Sequence, residues 1–496
     1  MTQPNPYDIL IVGGGINGAG IARDAAGRGL RVLLIEQGDL ASATSSASSK
    51  LVHGGLRYLE YYEFKLVREA LRERERLLTI APHIIWPLTF VLPHIHDMRP
   101  AWMMQAGLLM YDNLAPRQKL AKSQRVDLTR QMSLVGPLKP ELTTAFTYAD
   151  CWVDDARLVV LNAVDAHAHG AEIRTRTRCV ALEQKENLWH ATLEARDGTQ
   201  QTVAAKAVVN AAGPWANEVA GLSGVAHKGR IKRVKGSHIV VPRLHEGDQA
   251  YILQMPDKRI IFLLPFEDEY TLIGTTDIAS DDDPAQAAIT QDEIAYLLKG
   301  ANRYLAKPIS ADDMVWSYAG VRSLYDDANT SVSAMTRDYV LELRNADGGK
   351  PPLLSVFGGK LTTYRTLAEH AMAKLLPFFP TATRTNWTDQ SALPGGEESV
   401  TADGIRQRYP FVPEEVAVRW CRQYGSRIHT LLKGITDADG LGAEVAPEVF
   451  TCELTYVRQH EWVQKGSDFL WRRSKLGLRL NDAQTKSVSD WFAKQT

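Results

Sequence analysis

Three glycines near the start of the chain have the spacing that binds the diphosphate of a dinucleotide. Gly13, Gly15 and Gly18 follow the apolar run Tyr7–Val12 and precede a helical pattern of small residues. The first glycine permits a tight turn, the second lets a pyrophosphate approach the backbone, and the third lets helix and strand pack closely. The helix N-terminus adds N–H groups and the positive end of its dipole. This order of elements predicts a phosphate site.

An acidic residue completes this unit. Glu36 follows a second apolar run, residues 31–35, and so stands at the end of the next predicted strand. A carboxylate in this position accepts hydrogen bonds from a ribose diol and repels a 2′-phosphate. A glycine-rich turn without function would require neither the flanking strands nor the acid. We therefore predict that the chain binds an adenine dinucleotide.

A loop of small hydroxyl side chains follows and leads to a histidine beside two glycines. Residues 41–50 are mainly serine, threonine and alanine, and His53 precedes Gly54 and Gly55. Such a loop is usually a flexible linker, but beside glycines that let backbone approach a flat ring we interpret it as lining a cofactor. With an ordinary pKa of about 6.5, His53 is a candidate general base. A packed histidine bonded to backbone is the alternative.

A second glycine turn lies much further along the chain. Residues 353–357 are apolar, Gly358 and Gly359 follow, and Lys360 precedes another helical pattern. This repeats the strand, glycine and helix order of the first unit, so a helix N-terminus again faces a ligand. We therefore expect the chain to return to the cofactor here, which makes the domain that binds it discontinuous.

The remaining patterns predict the elements around these sites. Helices are expected at residues 60–79 and 156–169. Several short β-runs between residues 232 and 277 predict an antiparallel sheet that walls a substrate pocket. Residues 400–496 have mainly helical patterns and are expected to form a separate domain.

Composition and charge narrow the class of protein. The 496 residues carry a net charge of −1 and are 45% hydrophobic, which indicates a folded chain with no overall affinity for nucleic acid. The four cysteines form no C-x-x-C pair, so we expect a reducing compartment, no disulfide framework and no zinc site. Residues 1–6 are too short and polar for a signal peptide, and no apolar run reaches the ~18 residues of a membrane span. We expect a cytoplasmic protein.

Two segments combine apolar and basic residues. Residues 101–111 are strongly apolar and are flanked by arginines and lysines, and residues 462–480 alternate Trp, Phe and Leu with cations. A buried helix with solvated flanks is the interpretation that we favour for the first segment. The alternative, which applies to both, is an amphipathic segment that rests on a membrane or lines a path for quinone.

Seven stretches together carry a resemblance to a known family. They are residues 13–20, 44–59, 148–158, 235–242, 274–277, 320–322 and 355–365. In these stretches the chain resembles the aerobic, respiratory FAD-dependent glycerol-3-phosphate dehydrogenases, within the D-amino-acid-oxidase-like flavoprotein superfamily. The run Ser-Ser-Lys-Leu-Val-His-Gly-Gly-Leu-Arg-Tyr, which ends at Tyr58, is far more specific than the glycine fingerprint. One departure is Ser323, where a proline is expected; it affects the rigidity of that loop more than its chemistry.

The resemblance implies an α/β fold in three parts and a linker. The parts are a discontinuous Rossmann-like FAD-binding domain, an antiparallel-sheet substrate (cap) domain and a C-terminal helical domain. The predicted limits are 1–80, 145–225 and 320–385 for the first, 81–144 and 226–319 for the second, 386–399 for the linker and 400–496 for the last.

The resemblance also implies a reaction and partners. The enzyme would oxidise sn-glycerol 3-phosphate to dihydroxyacetone phosphate by hydride transfer to noncovalent FAD, and a membrane quinone would reoxidise the flavin. It would bind peripherally to the anionic cytoplasmic face of the inner membrane, as a homodimer.

Site residues follow from the resemblance and from the chemistry of this substrate. A phosphate monoester dianion requires several fixed cations, best supplied by arginine. His53 would take the hydroxyl proton as hydride leaves carbon, and Arg322 would polarise the developing alkoxide. The other expected substrate residues are Arg57, Tyr58, Thr275, Arg337 and Lys360. For the two arginines of this set, ion pairing at the surface is the alternative.

The expected FAD contacts are spread along the chain. They are Gly13, Gly15, Ile16, Asn17, Gly18, Glu36, Thr44, Ser45, Ser46, Ser48, Lys50, Leu51, His53, Val180, Ala211, Gly213, Trp215, Gly359, Lys360, Leu361 and Thr362. Lys50 has the alternative of an exposed charge. No metal site is expected, and the acid pair Asp154 and Asp155 is interpreted as solvated or capping charge.

Other functions stay open at this point. The nearest is a glycerol-3-phosphate oxidase, which passes electrons to oxygen. Further alternatives are an amino-acid-oxidising flavoprotein of the same fold, a non-catalytic FAD-bound protein, and an NAD-linked dehydrogenase. The two basic and apolar segments favour the quinone-linked enzyme, because a soluble oxidase would not need them.

Overall fold

The apolar runs become strands in a computed structural model, which describes residues 5–225, 230–326, 338–345 and 349–495. In chain order, the strands of these residues are β1 (Tyr7–Val12), β2 (Val32–Ile35), β3 (Leu51–Val52), β4 (Ile85–Pro93), β5 (Gln124–Asp127), β6 (Thr144–Val153), β7 (Glu172–Arg174), β8 (Thr177–Lys185), β9 (Leu188–Ala195), β10 (Gln200–Asn210), β11 (Arg230–Pro242), β12 (Ala250–Gln254), β13 (Ile260–Phe266), β14 (Tyr270–Gly274), β15 (Ile278–Ala279), β16 (Trp316–Asp326), β17 (Val340–Arg344), β18 (Leu353–Phe357), β19 (Glu444–Ala446) and β20 (Val449–Phe450).

The helices include those predicted after the two glycine turns, near residues 60–79 and 156–169, and in the C-terminal region. In full, the helices of the described residues are α1 (Ile16–Gly27), α2 (Phe64–Ile80), α3 (Ala101–Asn113), α4 (Asp155–Ala168), α5 (Ala216–Leu222), α6 (Gln291–Asn302), α7 (Tyr364–Leu375), α8 (Ala402–Arg408), α9 (Glu414–Tyr424), α10 (Ile428–Leu431), α11 (Thr451–His460), α12 (Gly466–Asp468) and α13 (Asp482–Ala493). Helices α5 and α6 were not predicted. The second helix begins at Phe64 and not at residue 60, because Leu56–Tyr61 forms a 3₁₀ turn and Tyr62 has a left-handed φ of 59°.

The first sheet carries the nucleotide-binding unit. Its strand order is β17-β18-β10-β1-β2-β7, with β9 and β8 added beside β10. Strand β1 pairs in parallel with β2 and β10, which places Ile11 between Leu34 and Val209. Helices α1, α4 and α7 cover one face, while α5 and the β8–β9 hairpin cover the other. The carboxyl ends of β1, β10 and β18 therefore meet at one edge, where ligands bind in such sheets.

The second sheet is almost entirely antiparallel. Its order is β15-β11-β14-β13-β12-β4-β6-β3, with β16 beside β11 and β5 beside β6. Among the described strands of this second sheet, only β12 and β4 pair in parallel. Strands β6 and β16 belong to this sheet, although the predicted limits assign residues from 145 and from 320 to the FAD-binding domain. Strand pairing thus departs from those two limits, and the domain limits as a whole stay a prediction.

The C-terminal residues form their own hydrophobic core. Helices α8 to α13 enclose a cluster that includes Trp420, Val457 and Phe469, and β19 and β20 add a small hairpin. Together with the two sheets, this domain confirms the predicted fold class: an α/β chain with a Rossmann-like sheet, a second antiparallel sheet and a helical C-terminal domain.

The two basic and apolar segments differ from each other. Helix α3 is not buried: Trp102 is 70% exposed and Leu109 is 61% exposed, while only Leu108 and Tyr111 of the helix are buried. The buried-helix interpretation is therefore wrong. Residues 462–480 instead pack into the protein, because Phe469 and Leu470 enter the C-terminal core and the arginines pair internally; their interpretation as a membrane segment is wrong. Among the described helices, none is long and apolar enough to cross a bilayer.

Candidate active site

A large cavity extends from the first glycine turn to the second. Its volume is about 1660 Å³, and its walls come from both sheets and from the C-terminal domain. Pockets for a single small ligand usually occupy roughly 300–1,000 Å³. The cavity therefore has room for a dinucleotide and a small substrate together.

The turn between β1 and α1 requires glycine for two different reasons. Gly13 has a φ of +117°, and a Cβ there would lie 2.4 Å from the carbonyl oxygen of Ala211. A Cβ on Gly18 would lie 1.9 Å from the carbonyl oxygen of Gly13, so this glycine sets the approach of the helix to the strand. Gly15 lines the cavity, and a Cβ there would meet only Ser45 Oγ, at 3.1 Å. The backbone is thus open to a ligand at this turn.

Glu36 lies in the cavity wall at the end of β2. Its carboxylate accepts hydrogen bonds from the backbone N–H groups of Gly14 and Gly38, each at 2.7 Å. Burial raises the pKa of this carboxyl, and the two backbone donors oppose that shift. A carboxylate has about four acceptor positions, so two bonds leave capacity for a ribose diol.

The second glycine turn follows β18 and faces the first. Gly358 and Gly359 have φ values of +74° and +102°. Asn17, at the start of α1, donates from Nδ2 to the carbonyl oxygen of Gly358 at 3.1 Å, which ties the two turns together. Its Oδ1 is buried and has no hydrogen-bond partner among the described residues. The site therefore retains a polar acceptor between the two turns, which suits a bound dinucleotide.

The hydroxyl-rich loop is held between the two sheets. Thr44 Oγ1 donates to the carbonyl oxygen of Val321 at 2.5 Å, and Ser45 Oγ accepts from the backbone N–H of Ile16 at 3.0 Å. The loop is thus ordered by its own side chains and is not a flexible linker. Its hydroxyl groups fix the wall that the cofactor would contact.

Lys50 lies behind this loop and does not line the cavity. Its buried ammonium forms an ion pair with Asp155 at 2.7 Å and donates to the carbonyl oxygen of Ser46 at 2.7 Å. Ser48 Oγ donates to the same carboxylate at 2.7 Å. Lys50 is therefore neither an exposed charge nor a lining residue; it supports the loop. Asp154 caps α4 as predicted, but Asp155 is buried and not solvated.

The structure brings together nearly all of the expected cofactor residues. Besides Lys50, only Gly18 of them lies outside the cavity wall, since it packs under the turn. The residues in the wall are Gly13, Gly15, Ile16, Asn17, Glu36, Thr44, Ser45, Ser46, Ser48, Leu51, His53, Val180, Ala211, Gly213, Trp215, Gly359, Lys360, Leu361 and Thr362.

The backbone of His53 is anchored on both sides. Its own N–H donates to Thr362 Oγ1 at 3.2 Å, and the N–H of Gly54 donates to Asp150 Oδ1 at 3.2 Å and to the Tyr111 hydroxyl oxygen at 2.9 Å. Tyr111 in turn donates to Asp150 at 2.9 Å. Asp150 and Tyr111 are buried, and no motif marked them in the sequence, although residue 150 lies within a stretch that carries the resemblance.

The electrostatics around His53 keep it neutral. Burial lowers the pKa of its imidazole to about 4; Asp150 opposes this shift, whereas Lys360, Arg74 and Arg322 add to it. Arg74 also forms a buried ion pair with Asp150, which offsets the negative charge behind the histidine. A neutral imidazole can accept a proton, so His53 is in the correct state for a general base.

Cations surround the same part of the cavity. Arg57 lines it, and Arg57 Nε is buried without a hydrogen-bond partner in the described part of the chain. Lys360 Nζ lies 3.8 Å from the centre of the Tyr58 ring, a cation–π contact. Both cations and Tyr58 face the cavity that holds His53. This is the charge that a phosphate dianion requires.

Arg322 enters from the second sheet. It forms an ion pair with Asp277 at 3.2 Å, and its Nη2 donates to Thr275 Oγ1 at 3.4 Å. All three side chains are in the cavity wall. Arg337, the remaining predicted substrate residue, lies outside the residues that the structure describes.

Some lining residues had no signal in the sequence. Arg259 lines the cavity, pairs with Asp257 at 2.6 Å and stacks over the Tyr296 ring at 4.2 Å. It stands at the edge of a β-run with no motif around it. The C-terminal domain also contributes to the wall, from a segment that was predicted to contact a membrane. Its lining residues are Lys465, Ser467, Asp468, Trp471, Arg472 and Lys475.

Comparisons with known proteins match two families along the chain. Residues 8–365 match the family of FAD dependent oxidoreductases, and residues 386–493 match the C-terminal domain of alpha-glycerophosphate oxidase. A solved glycerol-3-phosphate dehydrogenase from Bacillus halodurans, complexed with FAD, is 27% identical, with a TM-score of 0.79, and the match covers 99% of this chain and 91% of that chain.

Curated relatives match over nearly the full length. Glycerol-3-phosphate dehydrogenase of Pseudomonas aeruginosa is 52% identical over 99% of this chain and 95% of its own length. Aerobic glycerol-3-phosphate dehydrogenase of Escherichia coli is 49% identical, with coverages of 99% and 98%. D-erythritol 1-phosphate dehydrogenase of Brucella abortus is 45% identical, with 99% of each chain covered.

FAD is therefore the cofactor, and the residues around the two glycine turns fit it. These matches, together with the cavity that joins the two turns, show that the chain belongs to the family of aerobic FAD-dependent glycerol-3-phosphate dehydrogenases.

Proposed function

We propose that this enzyme oxidises sn-glycerol 3-phosphate to dihydroxyacetone phosphate and passes the electrons to a membrane quinone. One observation carries the substrate assignment: a neutral histidine and at least three cations face one cavity beside the FAD site. A phosphate dianion needs such a cluster, whereas the carboxylate of an amino acid needs fewer cations. The full-length similarity to glycerol-3-phosphate dehydrogenases supports the same substrate.

Each residue has a defined role in the proposed reaction. Bound FAD supplies the acceptor for the hydride that leaves the secondary carbon. His53 takes the proton of the hydroxyl group on that carbon, so that substrate loses one hydride and one proton. Arg322, oriented by Asp277, stabilises the negative charge that develops on the oxygen. The backbone anchors on either side of His53 keep the imidazole in place during transfer.

The phosphate is assigned to the other cations. Arg57 and Lys360 hold it, with Arg337 as a third cation. Tyr58 orients Lys360 by its ring, and Thr275, which accepts a hydrogen bond from Arg322, contacts the substrate or positions that arginine. A dianion held at several points positions the reacting carbon, which is where such contacts contribute most to rate.

We assign quinone reduction to a surface of the protein that would face the membrane. Helix α3 exposes apolar side chains and contacts the 3₁₀ turn that carries Arg57 and Tyr58, and Tyr61, Tyr62 and Phe64 in and after that turn are also exposed. We infer that this patch rests on the anionic cytoplasmic face of the inner membrane and brings the flavin end of the cavity close to the quinone pool. We also infer a homodimer, by resemblance; sedimentation of the holoenzyme tests it.

The proposed function is tested by anaerobic stopped-flow absorbance of the holoenzyme. Mixing with sn-glycerol 3-phosphate should bleach the flavin rapidly, whereas glycerol and amino acids should not. A quinone analogue should restore the oxidised spectrum much faster than air does. Immediate reoxidation by oxygen would instead identify an oxidase, and bleaching by an amino acid would contradict the substrate assignment.

One relative favours a second substrate. Because D-erythritol 1-phosphate dehydrogenase is 45% identical over nearly the whole chain, D-erythritol 1-phosphate belongs in the same experiment. It carries the same phosphate with a longer polyol. A larger rate of bleaching per unit concentration with the C4 compound would replace glycerol 3-phosphate as the substrate and leave the mechanism unchanged.

A further inference from the structure

The C-terminal domain reaches the cavity at the end away from His53. Glu36 marks the ribose of the dinucleotide in this fold, and the carbonyl oxygen of Glu36 accepts from the N–H of Thr177 at 2.8 Å. Asp468 of the C-terminal domain pairs with Arg176, the residue before Thr177, and its neighbours Lys465, Ser467 and Arg472 line the cavity. Three side chains of the C-terminal domain are therefore placed at the adenosine end of the FAD site.

A buried carboxylate joins this domain to the nucleotide loop. Asp39 lies three residues after Glu36 and is 3% exposed. Arg473 donates to its two oxygens at 2.8 and 3.0 Å, and Arg472 Nε donates to Oδ2 at 2.6 Å. Burial opposes ionisation of Asp39, but the two arginines hold its pKa below the ordinary value. The loop after β2 is thus clamped by two consecutive arginines.

The local helix geometry explains how neighbouring residues reach one carboxylate. Phe469–Arg473 forms a π-helical turn, which is wider than an α-turn and brings Arg472 and Arg473 to the same side. Such turns are uncommon and occur frequently at functional sites. The turn therefore serves two contacts: Phe469 and Leu470 enter the C-terminal core, while both arginines also reach Asp39 outside that domain.

A second ion pair repeats the connection nearby. Asp468 is 2% exposed; it pairs with Arg176 of the first domain and accepts from Arg472 Nη2 at 2.6 Å. It also accepts from the N–H groups of Gln464 and Lys465 at 3.0 and 2.9 Å, which orders the lining segment. Asp468 and Arg472 both line the cavity. The residues that join the two domains therefore also form part of the cavity wall.

We propose that the C-terminal domain is part of the FAD site, where Lys465, Ser467 and Arg472 close the adenosine end. FAD then binds the docked state of the C-terminal domain more tightly than the undocked state. Binding of FAD and docking of the domain therefore stabilise each other. This role is additional to substrate oxidation and does not depend on which phosphorylated polyol is oxidised.

The proposal is tested by titrating deflavinated protein with FAD and with ADP, which carries only the adenosine half. Arg472→Ala should raise the dissociation constant of both ligands about tenfold or more, the loss of one charge-assisted contact. Lys465→Ala, at an exposed position, should weaken the binding of ADP in the same direction.

The matched control is Arg422→Ala. Arg422 is another C-terminal arginine that crosses to the first part of the chain, where it pairs with Asp268 at 3.1 Å, but it is not in the cavity wall. The affinity of the Arg422→Ala variant for FAD and ADP should equal that of the wild type. Unchanged affinity in both lining variants, or an equal loss in the control, would overturn the proposal.

A second readout follows the domain contact itself. Limited proteolysis between residues 386 and 399 should be slower in the presence of ADP for the wild type, and ADP should protect Arg472→Ala less. Equal cleavage rates with and without ADP in the wild type would show that docking and binding are independent, against the proposal.

Discussion

The state of His53 is set by groups that lie far from it in the sequence. Burial lowers its pKa to about 4, and the cations Lys360, Arg74 and Arg322 act in the same direction against Asp150. Of these cations, Lys360 is the one that we assign to the phosphate, and Arg322 is the one that we assign to the developing alkoxide. Two charges proposed for the substrate therefore also keep the histidine unprotonated.

Replacing His53 by Asn should slow flavin reduction much more than it weakens substrate binding. Loss of a general base usually costs about 10²–10⁴ in rate, while the phosphate contacts are untouched. Anaerobic stopped-flow at a series of glycerol 3-phosphate concentrations separates the two constants. His96→Asn, at an exposed position, is the control. A reduction rate within threefold of wild type would remove His53 from the mechanism.

The pH dependence of reduction should reflect the lowered pKa. Because the pKa of His53 is about 4, the imidazole is neutral above that value and protonated below it. The rate of flavin reduction per concentration of substrate dianion, measured at low substrate so that it reflects the free enzyme, should therefore stay level from pH 8 to about 5 and fall as pH drops through about 4. pH-jump stopped-flow measures it. A fall centred near 6.5 would show that the base is not buried in this way.

At the scale of elements, the contact between α1 and β1 depends on one missing side chain. Gly18→Ala would place a methyl group 1.9 Å from the carbonyl oxygen of Gly13. The helix must then move away from the turn, and the FAD site opens. We expect protein that is purified largely without flavin and unfolds at a lower temperature.

A matched glycine separates this effect from helix propensity. Gly221 lies in α5, and a Cβ there would meet no atom of the described residues within 4 Å. Gly221→Ala should keep its flavin and unfold at the same or a slightly higher temperature, since alanine favours helix by up to about 1 kcal/mol. Absorbance at the flavin band and thermal unfolding measure both variants. Equal flavin content in the two would contradict the steric explanation.

Helix α3 is the element for which the sequence pattern predicted the wrong environment. It is apolar on most sides, which favours a buried helix, yet Trp102 and Leu109 are largely exposed. We expect Trp102→Glu with Leu109→Glu to abolish sedimentation with anionic liposomes at low salt, because each carboxylate opposes insertion. Val418→Glu, at a 41% exposed position of α9, should bind as the wild type does. Undiminished binding by the double variant would move the membrane surface elsewhere.

At the scale of the whole molecule, the C-terminal domain is joined to the rest by buried charge. Arg157 of α4 pairs with Glu461 at 3.0 Å, and both side chains are fully buried. With the arginines on Asp39, this makes the domain contact dependent on paired ions. Removing one partner of such a pair leaves an unpaired buried charge, which is strongly destabilising.

A buried histidine at this contact should make the fold sensitive to acid. Burial, aided by Arg157, lowers the pKa of His83 to about 3. Between pH 6.5 and 3 the unfolded chain binds a proton that the folded chain does not, so stability falls as pH falls, by up to about 1.4 kcal/mol per unit. From pH 6.5 to 5, His83→Leu should lose about 1.6 kcal/mol less than the wild type in urea unfolding. His96→Leu should lose as much as the wild type; equal losses for all three proteins would contradict the assignment.

The chemistry of the site was largely determined by local sequence. The glycine turns, Glu36, the hydroxyl loop and His53 were recognisable because each needs a residue type at a fixed offset from a strand or helix end. Parallel pairing of β1, β10 and β18 then brings these ends to one edge without further information. For that reason the Rossmann-like unit and most of the cavity wall could be predicted.

What only the tertiary structure decided are the contacts between distant segments. Asp150 and Tyr111 behind His53, and the arginines that hold Asp39, have no periodic or motif signal, since their partners are up to 434 residues away. The exposure of α3 and the burial of residues 462–480 are equally non-local, because both segments have apolar and basic residues and only the surrounding packing distinguishes them. Hydrophobic patterns show which residues favour burial. Whether a residue is shielded from water depends on neighbours that only the fold supplies.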